Sequence, residues 1–260
     1  MAYRQKWAVW LAAGCLATVA VPAWAAHKGK KAGHAPVAAA PAVAPAPPAA
    51  AAHPAVTLPL PAKPTPQQVA DAVEAFYQKQ PGFRARFSQV VKKKGLATGI
   101  TREGTVYLQR GDLATGKPGK MRWEYPNEEV FYYCNGVTLW AYERRERLAT
   151  KVPVKNSRVY QATSYLVGQG NLGRDFQLDL LAAPEPGVLP LKLTPRKGTQ
   201  DMRSLTLLVD ANTGAVRGSR LIDPLGDETA LVWLDVTYEA TPDDVFEWTP
   251  PPGVQVKSLQ

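Results

Sequence analysis

Residues 121–143 read MRWEYPNEEVFYYCNGVTLWAYE and predict three short strands joined by tight turns. Met121, Trp123 and Tyr125 alternate with charged side chains, which is typical of a strand that buries one face. Asn135-Gly136 then separates two runs of apolar residues, and this dipeptide is the strongest short-range signal for a β-hairpin. Because such turns leave no room for crossover helices, we predict that the sheet is antiparallel.

The same period of two continues on both sides of this stretch and brings the total to about ten or eleven strands. The additional strand segments are 83–88, 101–110, 176–180, 191–193, 205–209, 216–222 and 229–238. A sheet of this size must curl, close or split, because the few short helices of the chain cannot cover it when flat. We therefore predict a mainly β protein with a strongly curved sheet whose concave face is covered by helices. Periodicity does not distinguish a solid core from a hollow one on that face.

Two helices are predicted, one before the strands and one among them. Thr65 is a good N-cap, Pro66 occupies the first helical position and Gln68 completes a capping box. The second helix is predicted over 157–169, where the apolar residues form one stripe at helical spacing. Both helices are short, which keeps the protein mainly β.

The first 26 residues have the organisation of a secretory signal peptide. A short basic region precedes an apolar run, and small residues provide a cleavage site after Ala25 or Ala26. An imperfect lipoprotein box ends in Cys15, so a lipid-anchored product is the alternative to a cleaved, soluble one. We favour the cleaved form and predict export to the periplasm.

Residues 27–64 are rich in alanine and proline, and a stretch of this composition is predicted to be a disordered linker. The folded domain is then predicted to be 65–260. The formal net charge of +9 suits either nucleic acid or anionic lipid. Because an exported protein rarely meets nucleic acid, we predict no nucleic-acid partner.

Histidine, which many catalytic and metal sites need, is missing from the predicted folded domain. All three histidines, His27, His34 and His53, lie in the predicted linker, which excludes a Ser-His-Asp triad and a histidine-bound metal. Cys134 is the only cysteine after Cys15, so the predicted mature protein has no internal disulfide. We predict no metal, no cofactor and no enzyme activity. A hydrolase with two acidic residues facing one cleft is the weakest alternative.

Five segments of the predicted domain follow one another in a characteristic order. They read FRARFSQ at 83–89, EGTVYL at 103–108, KPGKMRWEY at 117–125, NGVTLWAY at 135–142 and FEWTPPPGV at 246–254. Together they resemble the LolA family, the periplasmic carriers of outer-membrane lipoproteins. The resemblance runs from about Val69 to Val256, which is nearly the whole predicted domain.

The resemblance implies an unclosed antiparallel β-barrel with a helical lid over a hydrophobic cavity. It also implies a monomeric periplasmic chaperone that holds the acyl chains of lipoproteins away from water. Such a protein takes its cargo from an ATP-driven inner-membrane complex and delivers it to an outer-membrane receptor. The alternatives are a membrane-anchored lipoprotein receptor, a general lipid-binding protein of the same fold, and a regulatory module that senses lipoproteins.

Strand alternation, combined with this resemblance, suggests which residues line the cavity. They are Val106, Leu108, Met121, Trp123 and Leu207 from the strands, with Leu166 and Val167 from the lid helix. In the family an arginine commonly precedes the proline of the segment around 117–125 and helps to hold the lid closed. Lys117 occupies that place here, and Arg110 is the candidate to substitute for it. These two residues are the predicted lid latch.

Overall fold

A computed structural model of the chain describes most of the predicted folded domain. The described residues are 60–61, 63–112, 117–154, 171–197 and 202–259. The predicted signal peptide, most of the predicted linker and the predicted lid helix, with Leu166 and Val167, lie outside the described residues. In the described ranges, no helix meets the length and hydropathy that a membrane span requires.

Twelve strands among the described residues form one sheet. In chain order they are β1 (Gly82–Lys92), β2 (Ile100–Gln109), β3 (Lys120–Tyr125), β4 (Val130–Cys134), β5 (Thr138–Glu143), β6 (Leu148–Pro153), β7 (Phe176–Leu180), β8 (Val188–Pro195), β9 (Ser204–Asp210), β10 (Val216–Ile222), β11 (Glu228–Thr237) and β12 (Gln255–Ser258). Across the sheet the order is β12-β6-β5-β4-β3-β2-β1-β11-β10-β9-β8-β7. The two edge strands, β12 and β7, do not pair with each other, so the curved sheet is unclosed, as the resemblance implies.

The predicted count of ten or eleven strands omits β6 and β12. All four residues of β12 are exposed, so no buried face marks this strand in the sequence. Ten of the eleven strand pairings are antiparallel, but β12 pairs with β6 in parallel. The prediction of an antiparallel sheet is therefore confirmed for ten pairings, and the edge strand β12 is the exception. After β11 the chain crosses to the far edge of the sheet, where β12 lies beside β6 and runs in the same direction.

The hairpin between β4 and β5 is confirmed and shows why the turn needs Asn135-Gly136. The Asn135 side-chain oxygen accepts hydrogen bonds from the backbone N–H groups of Val137 (3.1 Å) and Thr138 (3.0 Å). Gly136 has φ +90°, a backbone conformation that residues other than glycine rarely adopt. The asparagine therefore holds the loop backbone and the glycine reverses the chain, so that Cys134 pairs with Leu139.

The first predicted helix is confirmed as α1 (Pro66–Lys79), which follows the N-cap Thr65. The backbone N–H of Thr65 donates to Gln68 Oε1 (2.8 Å), and the Gln68 N–H donates to Thr65 Oγ1 (3.2 Å), which closes the capping box. A second helix, α2 (Leu172–Asp175), is tied to α1 because the Leu172 N–H donates to Glu74 Oε1 (2.6 Å). The apolar face of α1 covers the half of the sheet that contains β7 and β8.

The sheet buries a different set of side chains on each face. We call the face covered by α1 the inner face, and its core contains Phe87, Trp123 and Trp233. On the opposite, outer face a smaller cluster forms around Phe131 and Tyr133. Because alternate residues point to opposite faces, neighbouring aromatic residues in β4 belong to different cores.

The outer cluster is covered by the segment that leads into β12. The Trp248 ring stacks on Tyr133 with centroids 5.4 Å apart and an angle of 6° between the rings. Polar contacts hold the same segment, since Arg122 Nη1 donates to Val245 O (3.0 Å) and Asn135 Nδ2 donates to Glu247 Oε2 (2.9 Å). Val245 belongs to a 3₁₀ helix that spans Asp243–Phe246 at the start of this segment. We call 243–258 the C-terminal strap.

Replacing Trp248 with alanine is expected to loosen the C-terminal strap and to lower the free energy of unfolding by about 2 kcal/mol, because a half-buried ring leaves the outer cluster. Hydrogen exchange should become faster in 247–258, whereas W248F should keep the stacking and most of the stability. Acyl binding should not change in either variant. Unchanged exchange in the strap of W248A would contradict this account of how the outer face is held.

Candidate functional site

All five strand residues assigned to the cavity lie buried on the inner face. Their exposed fractions are 0% for Val106, 2% for Leu108, 1% for Met121, 1% for Trp123 and 6% for Leu207. In the register of β2 and β3, Val106 lies opposite Trp123 and Leu108 lies opposite Met121. These four side chains therefore form one apolar block, while Leu207 lies on β9 in the other half of the sheet.

An aromatic cluster joins the two halves. The Phe87 ring contacts both indoles, with centroid distances of 5.1 Å to Trp123 and 6.5 Å to Trp233. The two indole centroids are 5.9 Å apart, although β2 and β1 separate their strands. In a flat sheet, strands three places apart are about 14 Å from each other. The rings meet because the sheet curls toward this face and the long side chains lean across it.

The inner face is apolar except for a few buried polar atoms. Trp123 Nε1, Trp233 Nε1 and Thr229 Oγ1 have no hydrogen-bond partner among the described residues. Thr229 is 1% exposed and Trp233 is 8% exposed, so little solvent reaches these residues. A buried donor without an acceptor costs about 1–3 kcal/mol. Sequence alternation predicts that Trp123 points inward but gives no sign that either indole N–H lacks an acceptor.

The two predicted latch residues lie at the end of β2 and in the chain that leads to β3. Arg110 donates from Nη1 to the carbonyl oxygen of Gln78, near the C-terminal end of α1, where a cation is favourable. The Lys117 carbonyl accepts a hydrogen bond from the backbone N–H of Asp112 (2.8 Å). Because the predicted lid helix lies outside the described residues, a contact of either side chain with the lid stays a prediction.

Cys134 lies beside the apolar block, because it is the neighbour of Met121 across β3 and β4. Its thiol is buried, and burial raises the pKa of the Cys134 thiol to about 11, while a hydrogen bond with the Gly136 backbone lowers it slightly. The thiol is therefore protonated at neutral pH.

At about pH 8 only about 0.1% of the Cys134 thiol is thiolate in the folded protein. We therefore expect Cys134 to react with iodoacetamide about 100-fold more slowly in the folded protein than in the unfolded protein at the same pH. The modification is followed at Cys134 by mass spectrometry of peptides, so that a thiol at Cys15 does not interfere. The rate should rise steadily up to about pH 10. Equal rates in the folded and unfolded protein would show that the inner face is open to solvent at β4.

The described residues offer no candidate metal centre. The described parts of the chain contain no group of three or more His, Cys, Asp or Glu residues placed to hold an ion. The inner face offers apolar area from ten strands and from α1 and α2, with two indole donors inside it. An apolar face of this kind is suited to binding a hydrocarbon chain.

Comparison with known proteins identifies the same family that the sequence resembles. The family described as "Outer membrane lipoprotein carrier protein LolA" matches residues 78–249. An outer-membrane lipoprotein carrier protein of Nitrosomonas europaea is 26% identical over 202 residues, which are 76% of this chain and 92% of that protein. The protein of the same name from Chromobacterium violaceum is 27% identical over 200 residues, which are 76% of this chain and 91% of that protein.

A solved structure of a LolA superfamily protein from Nitrosomonas europaea aligns with 72% of this chain and 99% of that one, at 13% identity and a TM-score of 0.39. The family match covers the inner-face residues of β2, β3 and β9 as well as the outer cluster up to Trp248. Since that match spans more than half of the sequence, the chain belongs to the LolA family.

Proposed function

We propose that this protein is a periplasmic carrier that binds the acyl chains of lipoproteins and shuttles them from the inner to the outer membrane. The observation that carries the proposal is the apolar inner face of an unclosed sheet, where Val106, Leu108, Met121 and Trp123 form one block. The relatives that are named as outer-membrane lipoprotein carriers support the same function.

The energetics of acyl binding suit this face. Each methylene group that leaves water contributes about 0.8 kcal/mol, so a chain of about sixteen carbons gains on the order of 10 kcal/mol when fully buried. Met121 is flexible and can adapt to chains of different length and packing. Because no bond is made or broken, the carrier needs only to bind and release its cargo, and we propose that it is not an enzyme.

Loading requires the inner face to open, because the residues proposed to contact the chain are buried. The unclosed sheet makes this feasible, since β7 and β12 can move apart without breaking a strand pairing. We propose that the lid helix over 157–169, with Leu166 and Val167, covers the bound chain. Leu207 contacts the chain from β9. Arg110 and Lys117 hold that lid in the closed state. Opening is then a two-state change that cargo shifts by binding one state more tightly.

The route of the protein follows from the same proposal. Residues 1–26 act as a cleaved signal peptide, 27–64 act as a linker, and 65–260 form the carrier domain. The partners are an ATP-driven complex that releases lipoproteins from the inner membrane and a receptor at the outer membrane. The carrier works as a monomer, since one inner face provides the whole proposed site.

A release assay with spheroplasts tests the function. The protein is purified in the form that the expressing cell produces, with whatever N-terminal processing occurs there. It is then added to spheroplasts that synthesise labelled lipoproteins and is recovered from the supernatant. We expect a soluble complex with one lipoprotein per protein, and a lipoprotein without acyl chains should not be recovered in complex with the protein. Recovery of phospholipid without lipoprotein would contradict the shuttling role and favour a general lipid-binding protein. Recovery of neither cargo would favour a regulatory module.

A further inference from the structure

Two indole N–H groups stand out inside the core of the inner face. Trp123 is 1% exposed and Trp233 is 8% exposed, yet neither Nε1 has a hydrogen-bond partner among the described residues. A tryptophan that served only to fill space would normally direct its N–H to an acceptor. Two such donors in one apolar cluster are free, as far as the described residues go, to bind a ligand that brings its own acceptor.

The two donors belong to one site. Their indole centroids are 5.9 Å apart, and Phe87 contacts both rings. Trp123 lies opposite Val106, while Trp233 lies opposite Phe87 in the register of β1 and β11. Trp123 is itself part of the apolar block that is proposed to contact the acyl chain, and Trp233 adjoins the block through the contact between the two indoles.

The neighbouring rings do not replace a true acceptor. Phe87 is the nearest ring to Trp123, at a centroid distance of 5.1 Å, and an aromatic face accepts a hydrogen bond only weakly. A carbonyl oxygen is a much stronger acceptor, and its hydrogen bond to a buried donor recovers the cost of burying that donor.

We infer that the indole N–H groups of Trp123 and Trp233 bind the carbonyl oxygens that join acyl chains to the cargo, so that the protein selects acyl esters and amides over plain hydrocarbon or ether-linked chains. The inference rests on the proposed function, because it assigns the polar end of the same ligand. An acyl carbonyl only accepts hydrogen bonds, and each indole only donates, so the two groups are complementary. The apolar block then holds the chain and the indoles fix its depth.

The test compares two lipids that differ only at these oxygens. Binding of a diacylglycerol and of the dialkyl ether glycerol with the same chain lengths is measured by competition with a fluorescent acyl lipid. The proteins are the wild type, W123F, W233F and the double variant. Trp→Phe keeps an aromatic ring and removes the N–H. The control W140F makes the same change in the outer cluster. Thermal unfolding of each variant is measured alongside, and W233F suffices if W123F does not fold.

We expect the wild type to bind the ester more tightly than the ether, and each inner substitution to reduce that preference by about 3- to 10-fold. The double variant should bind the two lipids about equally, and W140F should keep the preference of the wild type. An ester preference that is absent from the wild type, or unchanged in the double variant, would overturn the inference while leaving lipid carriage intact. Failure of the wild type to bind either lipid would instead contradict the proposed function, and the inference with it.

Discussion

Glutamate at Met121 is expected to weaken binding of long-chain acyl lipids by about 100-fold or more at neutral pH. Met121 is 1% exposed, and Leu108 and Cys134 flank it on the neighbouring strands. Neither of these neighbours carries a positive charge, so neither would pair with the introduced carboxylate, and burying it beside the acyl chain costs several kcal/mol. W123E should have the same effect, because Trp123 lies in the same block.

The loss in M121E should be partly reversed on acidification. Burial raises the pKa of a carboxyl group, so the introduced acid should become neutral as the pH falls toward about 5. The inner face should then bind the acyl chain again. The control is V137E, since Val137 is 71% exposed in the turn before β5, and this variant should bind like the wild type at both pH values. Lipid titrations at the two pH values, with circular dichroism to verify folding, provide the measurement. Retained affinity in both M121E and W123E would refute the cavity assignment.

Alanine at Gly104 is expected to lower the free energy of unfolding by about 3 kcal/mol or more. Gly104 lies opposite Phe87 in the pairing of β1 and β2. A Cβ atom there would come within 2.0 Å of the Glu124 carbonyl oxygen and 2.5 Å of Phe87 Cζ. Both neighbours are fixed, one by the backbone of β3 and the other by the aromatic cluster, so the strands themselves would have to move apart.

Chemical denaturation of G104A and of a matched variant, G187A, distinguishes lack of space from backbone strain. Gly187 has φ +80° but no heavy atom within 4 Å of the position of an added Cβ, so alanine there should cost only about 1–2 kcal/mol. G104A should also lose acyl binding in proportion to its loss of folded protein. If G104A were as stable as G187A, β2 and β3 could not lie as close as this structure places them.

The fold was predictable from the sequence where a local signal and tertiary packing agree. The capping box of Thr65 and Gln68 starts α1, and Asn135-Gly136 makes the hairpin turn, because in both cases short-range hydrogen bonds hold the backbone. Strands that bury several side chains on one face show the period of two and were found, whereas β6, in which only Ala149 is buried, was missed. β12 was missed because it has no buried face, and its place in the sheet depends on pairing with β6, more than a hundred residues earlier in the chain.

The candidate site was predictable only in part. Alternation places Met121 and Trp123 on one face of β3, and both are buried there. It does not reveal that Tyr133 and Trp140, which are equally aromatic, belong to a separate core beneath the C-terminal strap. Nor does it show that Trp233, 110 positions after Trp123, meets it across the curl of the sheet. Such contacts depend on the global curvature, which no short window of sequence contains.

The central claim is that acyl chains occupy the inner face, and the four tryptophans of the predicted domain report on it directly. Trp123 and Trp233 lie in the inner core, whereas Trp140 and Trp248 belong to the outer cluster. A brominated acyl chain quenches only the indoles that it contacts, so it distinguishes the two faces of the sheet. The comparison uses the wild type, the inner pair W123F/W233F and the outer pair W140F/W248F.

We predict that a brominated acyl lipid quenches the fluorescence of the wild type and of the outer pair, in which the inner indoles remain. In the inner pair the quenching should largely disappear even where the lipid still binds. Trp7, Trp10 and Trp24, which lie in the predicted signal peptide, contribute equally to all three proteins if they are retained. Quenching that persists in the inner pair and disappears in the outer pair would place the acyl chain on the outer face and contradict the account.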